Sequence, residues 1–327
     1  MLTNASLNRP VSEDIEPADA ADLSLLPTNE RFMAAAVMSA MSGVNLKEGG
    51  PFGASIVRDG VLICSAHNTF FADCDPTCHA EVMTITQPRV VLLYVAADEC
   101  CPLGYASSRD VIYSSFEPCP MCWSAIVSSG MKLLYIGLDR FTAAKNGVDY
   151  LSFYDAILPH TKRSNSPPMT CVNPPSSYED ERIISMLTSP DHCIIVNKDN
   201  DIIANSDSSA IDDFTTDPVD TPMVRTIRLA CRYLKSPYLH GCRIYTLVEP
   251  DIESHAACLW ACAESLYYST EAPPGSSARY QRDQYTMEES ERDLRVVHNC
   301  AMDICLKIIP LWYESELHKE NPQLKAC

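Results

Sequence analysis

No run of apolar residues in this chain approaches the roughly 18 that a membrane-spanning helix needs. Basic residues are scarce. Lys and Arg number 25 against 43 Asp and Glu, a formal net charge of −18. No Lys/Arg cluster of the kind that grips a phosphate backbone is present, and so acidic a chain repels nucleic acid unless one face is locally basic. The N-terminal "MLTNASLNRPVSEDIEPADAADLS" lacks the basic start and apolar stretch of a secretory signal. It also lacks the Arg-rich amphipathic character of a mitochondrial transit peptide. The expected location is therefore the cytoplasm, with no membrane association. Sixteen cysteines are present, but they do not form the pattern of a small disulfide-stapled secreted domain. Cys64, Cys193, Cys231 and Cys305 lie in apolar segments, where a thiol acts as a small hydrophobe, and most of the cysteines are expected to be reduced.

What is present is material for cores. Hydrophobic residues make up 46% of 327 residues, a length that suggests about two domains. Residues 1–27 are polar and acidic and read as a mobile tail. Residues 28–160 alternate helix and strand signals. "TNERFMAAAVMSAMSG" opens with a capping pattern and is apolar at helical spacing. "PFGASIVRDGVLICSAHN" reads as a hairpin turning at Asp59-Gly60. A helix follows around "HAEVMTIT", then strands around "VVLLYVA" and "DVIYSSF", a helix in "PMCWSAIVSSG" and a strand in "KLLYIGL". The order predicts an α/β layered fold, a mixed sheet flanked by helices. Residues 161–177, rich in Pro and Ser, read as a linker. Residues 178–327 repeat the order, with a long polar loop over "TEAPPGSSARYQRDQYTMEES" and a closing helix over "ERDLRVVHNCAMDICLKIIPLW".

The repeat is visible residue by residue. "DPTCHAEVMTI" and "DPVDTPMVRTI" share five of eleven residues; "IYSSFEPCPMCWSA" and "IYTLVEPDIESHAA" share five of fourteen. Same order and same element context point to a duplicated frame. The first copy is longer between its two motifs, around "ADECCPLGYA".

The first copy carries chemistry. Cys119 and Cys122 sit at a strand-to-helix turn, both on the first helical turn, where free N–H groups favour thiolates. A Cys-x-x-Cys pair alone also serves redox chemistry or structural zinc. No thioredoxin-like pattern surrounds it, and a structural zinc wants a fourth strong ligand. His79 and Glu81 decide between these readings. At the very start of a helix His79 points end-on while Glu81 leans over the same spot. One His and two Cys give three zinc ligands and an open fourth position for water, with a carboxylate beside it to carry the proton.

This pattern, H-x-E followed by P-C-x-x-C, is the signature of zinc deaminases acting on nucleobases. With "PFGASIV", "DPTCHAEV" and "EPCPMC", the chain resembles the cytidine-deaminase-like superfamily over residues 28–160, and the second half resembles a degenerate copy. The resemblance implies a mixed five-stranded sheet with helices on both faces and zinc between two helix N-termini. It implies hydrolytic release of ammonia from an exocyclic amine, with Glu81 as proton shuttle and His79, Cys119 and Cys122 as ligands of one Zn2+ in the N-terminal domain only. It further implies Asn68, Phe52, Ala80 and Pro118 as substrate contacts. Asn68 also reads as a turn residue and Phe52 as core. Trp123 reads as core and Glu117 as structural.

In the second copy His79 becomes Thr221, Glu81 becomes Met223, Cys119 becomes Asp251 and Cys122 becomes Ser254. Those side chains cannot reproduce a soft three-ligand zinc site or carry a proton. Because members of this superfamily usually assemble, the second half is expected to substitute for a partner subunit in an intramolecular pseudo-dimer, with further homo-oligomerisation left open. "DRFTAAKNGVDYLSFYDAI" resembles the guanine deaminases, so the expected substrate is a purine-type base, guanine or a related aminated heterocycle. The alternative is tRNA adenosine deamination or a role as a deaminase-complex subunit. One departure stands out. The aspartate with which the guanine deaminases read the base's amino side falls at Thr142, with Asp139 and Asp149 nearby, and their aromatic wall falls near Ser128.

Overall fold

The computed structural model describes residues 27–87, 109–157, 170–172, 177–190, 192–206 and 220–320. Helix α1 (Thr28–Asn45) buries Phe32, Met33, Ala36, Val37, Ala40 and Val44 against the first sheet. The cap expected at Thr28 is absent. Pro27 holds the N-cap position and makes no side-chain cap bond. Strands β1 (Gly53–Arg58) and β2 (Val61–His67) form the expected hairpin. Asp59 and Gly60 both take positive φ, 51° and 78°, as the two-residue turn that matches strand twist requires. At Gly53 a Cβ would lie 2.0 Å from the Ala36 carbonyl oxygen, so only glycine lets α1 approach β1 this closely.

Helix α2 (Ala80–Ile85), β3 (Asp110–Phe116), α3 (Pro120–Ser128) and β4 (Leu133–Leu138) follow as expected, then α4 (Arg140–Lys145) and α5 (Leu151–Ile157). Gly130, at φ 85°, ends α3. The strand expected at "VVLLYVA" and the N-terminal tail lie outside the described residues. The second half contributes β5 (Thr170–Val172), α6 (Tyr178–Ile184), β6 (Cys193–Val196), β7 (Ile202–Asn205), α7 (Pro222–Leu234), β8 (Arg243–Val248), α8 (Ile252–Trp260), β9 (Ser265–Thr270), α9 (Ser277–Thr286), β10 (Arg295–Val297), α10 (Met302–Leu306), α11 (Ile308–Glu314) and α12 (Glu316–Glu320).

Two five-stranded mixed sheets result, ordered β10-β4-β3-β1-β2 and β5-β9-β8-β6-β7. Strand directions agree position by position, and each hairpin carries a bulge at the same place, Ile56/Val57 and Ile195/Val196. The fifth strands are exchanged. β5, from the expected linker, pairs with β9, while β10, from the C-terminal region, pairs with β4. The sheets therefore do not follow the expected division into 28–160, 161–177 and 178–327. One hydrophobic core runs through both halves and includes Val82, Cys122, Met223 and Ala256.

Two further expectations are corrected. The long polar loop contains α9, capped by Ser276, whose hydroxyl accepts from the Arg279 N–H. The closing helix is broken by Asn299 and Ala301, at φ 58° and 54°. Its "RVV" becomes β10, and α10 and α11 pack back on α1. Eleven described cysteines are free thiols, and Cys262 is disulfide-bonded. No described helix is long and apolar enough to cross a membrane.

Candidate metal centre and cavity

His79 and Cys119 occupy the N-cap positions of α2 and α3, both with extended backbone, and neither side chain caps its helix. Their side chains turn toward each other instead. His79 Nδ1 lies 3.6 Å from Cys119 Sγ and 3.4 Å from Cys122 Sγ. Tetrahedral zinc with Zn–N near 2.0 Å and Zn–S near 2.3 Å requires N···S separations of about 3.5 Å, so the donor set fits the ion in spacing as well as in chemistry. Among the described residues this is the group of three or more His, Cys, Asp or Glu arranged to hold a metal, and all three members are buried.

Electrostatics support a thiolate. Burial opposes ionisation of Cys119, but hydrogen bonding with Cys122 and the adjacent His79 imidazole hold its thiol well below the usual range. Burial and the charge at Cys119 push Cys122 up. Glu81, 6% exposed, has its carboxyl raised by burial and next by the Cys119 charge. The Ser114 hydroxyl on β3 donates to Glu81 Oε1 at 2.8 Å and partly offsets that rise.

A cavity opens against His79, lined also by Phe52, Asn68, Phe70, Asp149, Tyr150, Trp260, Trp312 and His318. Asn68 Oδ1 accepts from the Gly50 and Phe70 N–H groups, both at 3.2 Å. Two donors on one oxygen fix the amide orientation and leave Nδ2 to the cavity. Phe52 presents a wall packed edge-on against Phe116 and Tyr150, at 5.1 and 6.0 Å. The other expected contacts lie elsewhere. Ala80 is fully buried and does not line the cavity. The Pro118 carbonyl is taken by the Tyr154 hydroxyl at 3.0 Å. Thr142 donates to Asp139 in the α4 cap, and Asp149 is the member of that trio that lines the cavity. Glu117 pairs with Arg140, and Trp123 is buried against Tyr285.

Sequence reading missed Trp260, Trp312 and His318, because nothing near them carries a motif. Trp260 packs its edge on His79 at 4.5 Å, stacks on Phe153 at 4.2 Å and donates from Nε1 to Cys119 Sγ at 3.3 Å. Trp260 lines the cavity, and Ser128 does not. Trp312 and His318 come from α11 and α12 and line the same cavity. Tyr313 Oη is 3.5 Å from the Asn146 carbonyl oxygen, and Lys47 pairs with Glu316.

The counterpart positions in the second half meet in the same way. Thr221 and Asp251 are N-caps of α7 and α8, and Thr221 Oγ1 lies 2.7 Å from Ser254 Oγ. Here both cap side chains do cap, accepting from the Val224 and Ser254 N–H groups. Where His79 and Cys119 leave their helices uncapped, Thr221 and Asp251 cap theirs.

A buried His-Cys-Cys cluster between two helix N-termini, with a shielded carboxylate alongside, defines a hydrolytic zinc-deaminase class of site. Residues 26–138 match the family described as cytidine and deoxycytidylate deaminase zinc-binding region. The chain is 38% identical over 129 residues to guanine deaminase of Bacillus subtilis (strain 168), spanning 39% of this chain and 76% of that protein. It is 37% identical over 93 residues to the tRNA-specific adenosine deaminase of Aquifex aeolicus, of whose length it spans about half (54%). The X-ray structure of the Bacillus subtilis guanine deaminase aligns at 32% identity and a TM-score of 0.36, covering 48% of this chain and 91% of that one. The chain belongs to the cytidine and deoxycytidylate deaminase family, and it is a hydrolytic C–N deaminase.

Proposed function

We propose that the chain converts the exocyclic amine of a free purine-type base, guanine or a related aminated heterocycle, to a carbonyl with release of ammonia. The observation that carries this reading is the aromatic lining of the cavity beside His79. Trp312 and His318 line it together with Phe52, Phe70 and Trp260, and aromatic walls of this kind suit a flat ring. The similarity to a guanine deaminase and the net charge of −18 point the same way.

In this reading His79, Cys119 and Cys122 hold one Zn2+. The ion, when bound, acts as a Lewis acid that makes water a competent nucleophile at neutral pH. Glu81 takes the proton of the attacking water and delivers it to the leaving amine. Its buried, raised carboxyl suits both halves of that transfer. Asn68 Nδ2 donates to an acceptor on the ring, Phe52 and Trp260 orient its plane, and Asp149 is placed to receive an amino group. Water and the amine are consumed; ammonia and the carbonyl remain.

The second half acts as a built-in partner: a duplicated frame without metal, which supplies Trp260 to the first site. Matching strand order and exchanged fifth strands support this part of the proposal. The test is a substrate panel for the zinc-loaded protein: guanine, guanosine, adenosine, cytosine, a pterin and an adenosine-bearing tRNA anticodon stem, with Glu81→Ala as control. Ammonia from a free base, abolished in the control, is expected. Turnover of the tRNA stem alone overturns the assignment.

A further inference from the structure

We infer that Trp260, from the half whose counterpart positions are Thr221, Asp251 and Ser254, is a positioning residue for the Cys119 thiolate. The inference rests on the zinc-site reading above and deepens it. The indole has a single polar group, an N–H that only donates, and it is aimed at Cys119 Sγ from 3.3 Å. The ring cannot drift. It is stacked on Phe153 with an 18° interplanar angle and set edge-on to His79 at 81°. The arrangement is one-way. Trp260 lies nine residues beyond Asp251, and the residue nine beyond Cys119 is Ser128, whose hydroxyl accepts from Gln281 Nε2.

An N–H···S bond has two consequences. It fixes the direction of the sulfur, a task that no cap bond performs at Cys119. It also lowers the energy of the sulfur lone pairs, which raises the energy of charge transfer from sulfur to a bound metal. Groups of this kind, one step beyond the ligands, commonly change metal affinity or activity by about 10–100-fold when removed. The second half thus takes a part in metal binding, through a residue that no motif marks.

The test uses the full chain, Trp260→Phe, and a protein with benzothienylalanine at position 260, which keeps the bicyclic shape without the N–H. Two quantities are read. Zinc affinity is measured by chelator competition, and the energy of the sulfur-to-cobalt charge-transfer band is measured in the Co2+-substituted protein. Both replacements are expected to lower zinc affinity by about tenfold and to move the band to longer wavelength, while benzothienylalanine leaves metal-free unfolding unchanged. An unchanged band and affinity in both proteins overturn the inference and leave the zinc site standing. A wild-type protein that binds no Co2+ and shows no band overturns the zinc-site reading itself.

Discussion

Replacing Arg228 with methionine removes a largely shielded cation that joins the two halves at the loop leading into His79. Arg228 Nε lies 3.2 Å from Asp75 Oδ2 and donates to Thr77 Oγ1 at 2.9 Å, and Nη1 lies 3.4 Å from Asp220 Oδ1. The three side chains are 13%, 9% and 7% exposed, so solvent screens little. Breaking a buried pair from one side costs about 3–5 kcal/mol, chiefly because the surviving charge stays buried. The low end applies here. Asp220 keeps Arg225 at 2.7 Å, and Asp75 keeps the Thr77 N–H and hydroxyl at 2.9 and 2.6 Å. We therefore expect Arg228→Met to cost about 3 kcal/mol, from the urea midpoint of the metal-free protein. Thr77 stands two residues before His79, so zinc affinity falls with it. Asp75→Asn added to Arg228→Met should cost less than Asp75→Asn alone, with a coupling of about 1–3 kcal/mol. A loss below about 1 kcal/mol, or full additivity of the two substitutions, would refute the view that this network holds the loop.

Three more outcomes are expected. The raised Glu81 carboxyl contributes its stability to the metal-free fold in full below the ordinary carboxylate range, and that contribution is lost as pH rises through the raised value. Metal-free Glu81→Gln should therefore unfold at a higher temperature than wild type near pH 7.5, the difference shrinking toward pH 4, while ammonia release by the zinc-loaded variant is abolished. Thr221→Ala and Asp251→Ala each remove a helix cap and should cost about 0.5–2 kcal/mol in urea unfolding, without changing zinc affinity. Gly147→Ala places a Cβ 1.7 Å from Tyr313 Oη at a φ of 90°; about 1–3 kcal/mol of stability loss and a raised KM for the base are expected as α11 is displaced from the cavity.

The strand and helix signals from α1 to β4 are legible because each is local. Asp59-Gly60 dictates its own turn, and alternation in "GASIVR" and the Pro at the start of α3 declare their elements within a few residues. His79, Glu81, Cys119 and Cys122 were legible for the same reason, since ligand spacing is a local property. What sequence reading lost is long-range. β10 looked like part of a helix because "LRVVHNCAMDICLKII" is apolar at helical spacing, yet its pairing with β4 and two left-handed residues decide otherwise. The exchange of β5 and β10 leaves no mark in either segment. Trp260 and Trp312 reach the cavity only because α8 packs on α3 and α11 packs on α1. The capping roles of Thr221 and Asp251 are a local signal as well, since both residue types favour N-caps.

The most direct test is ammonia release from guanine by the metal-stripped protein, before and after one equivalent of zinc, with Glu81→Ala alongside. Activity that appears with zinc, saturates at one ion per chain and is absent from Glu81→Ala is the predicted result. Turnover without metal, undiminished turnover by Glu81→Ala, or no ammonia from any free base at one bound zinc per chain would contradict it.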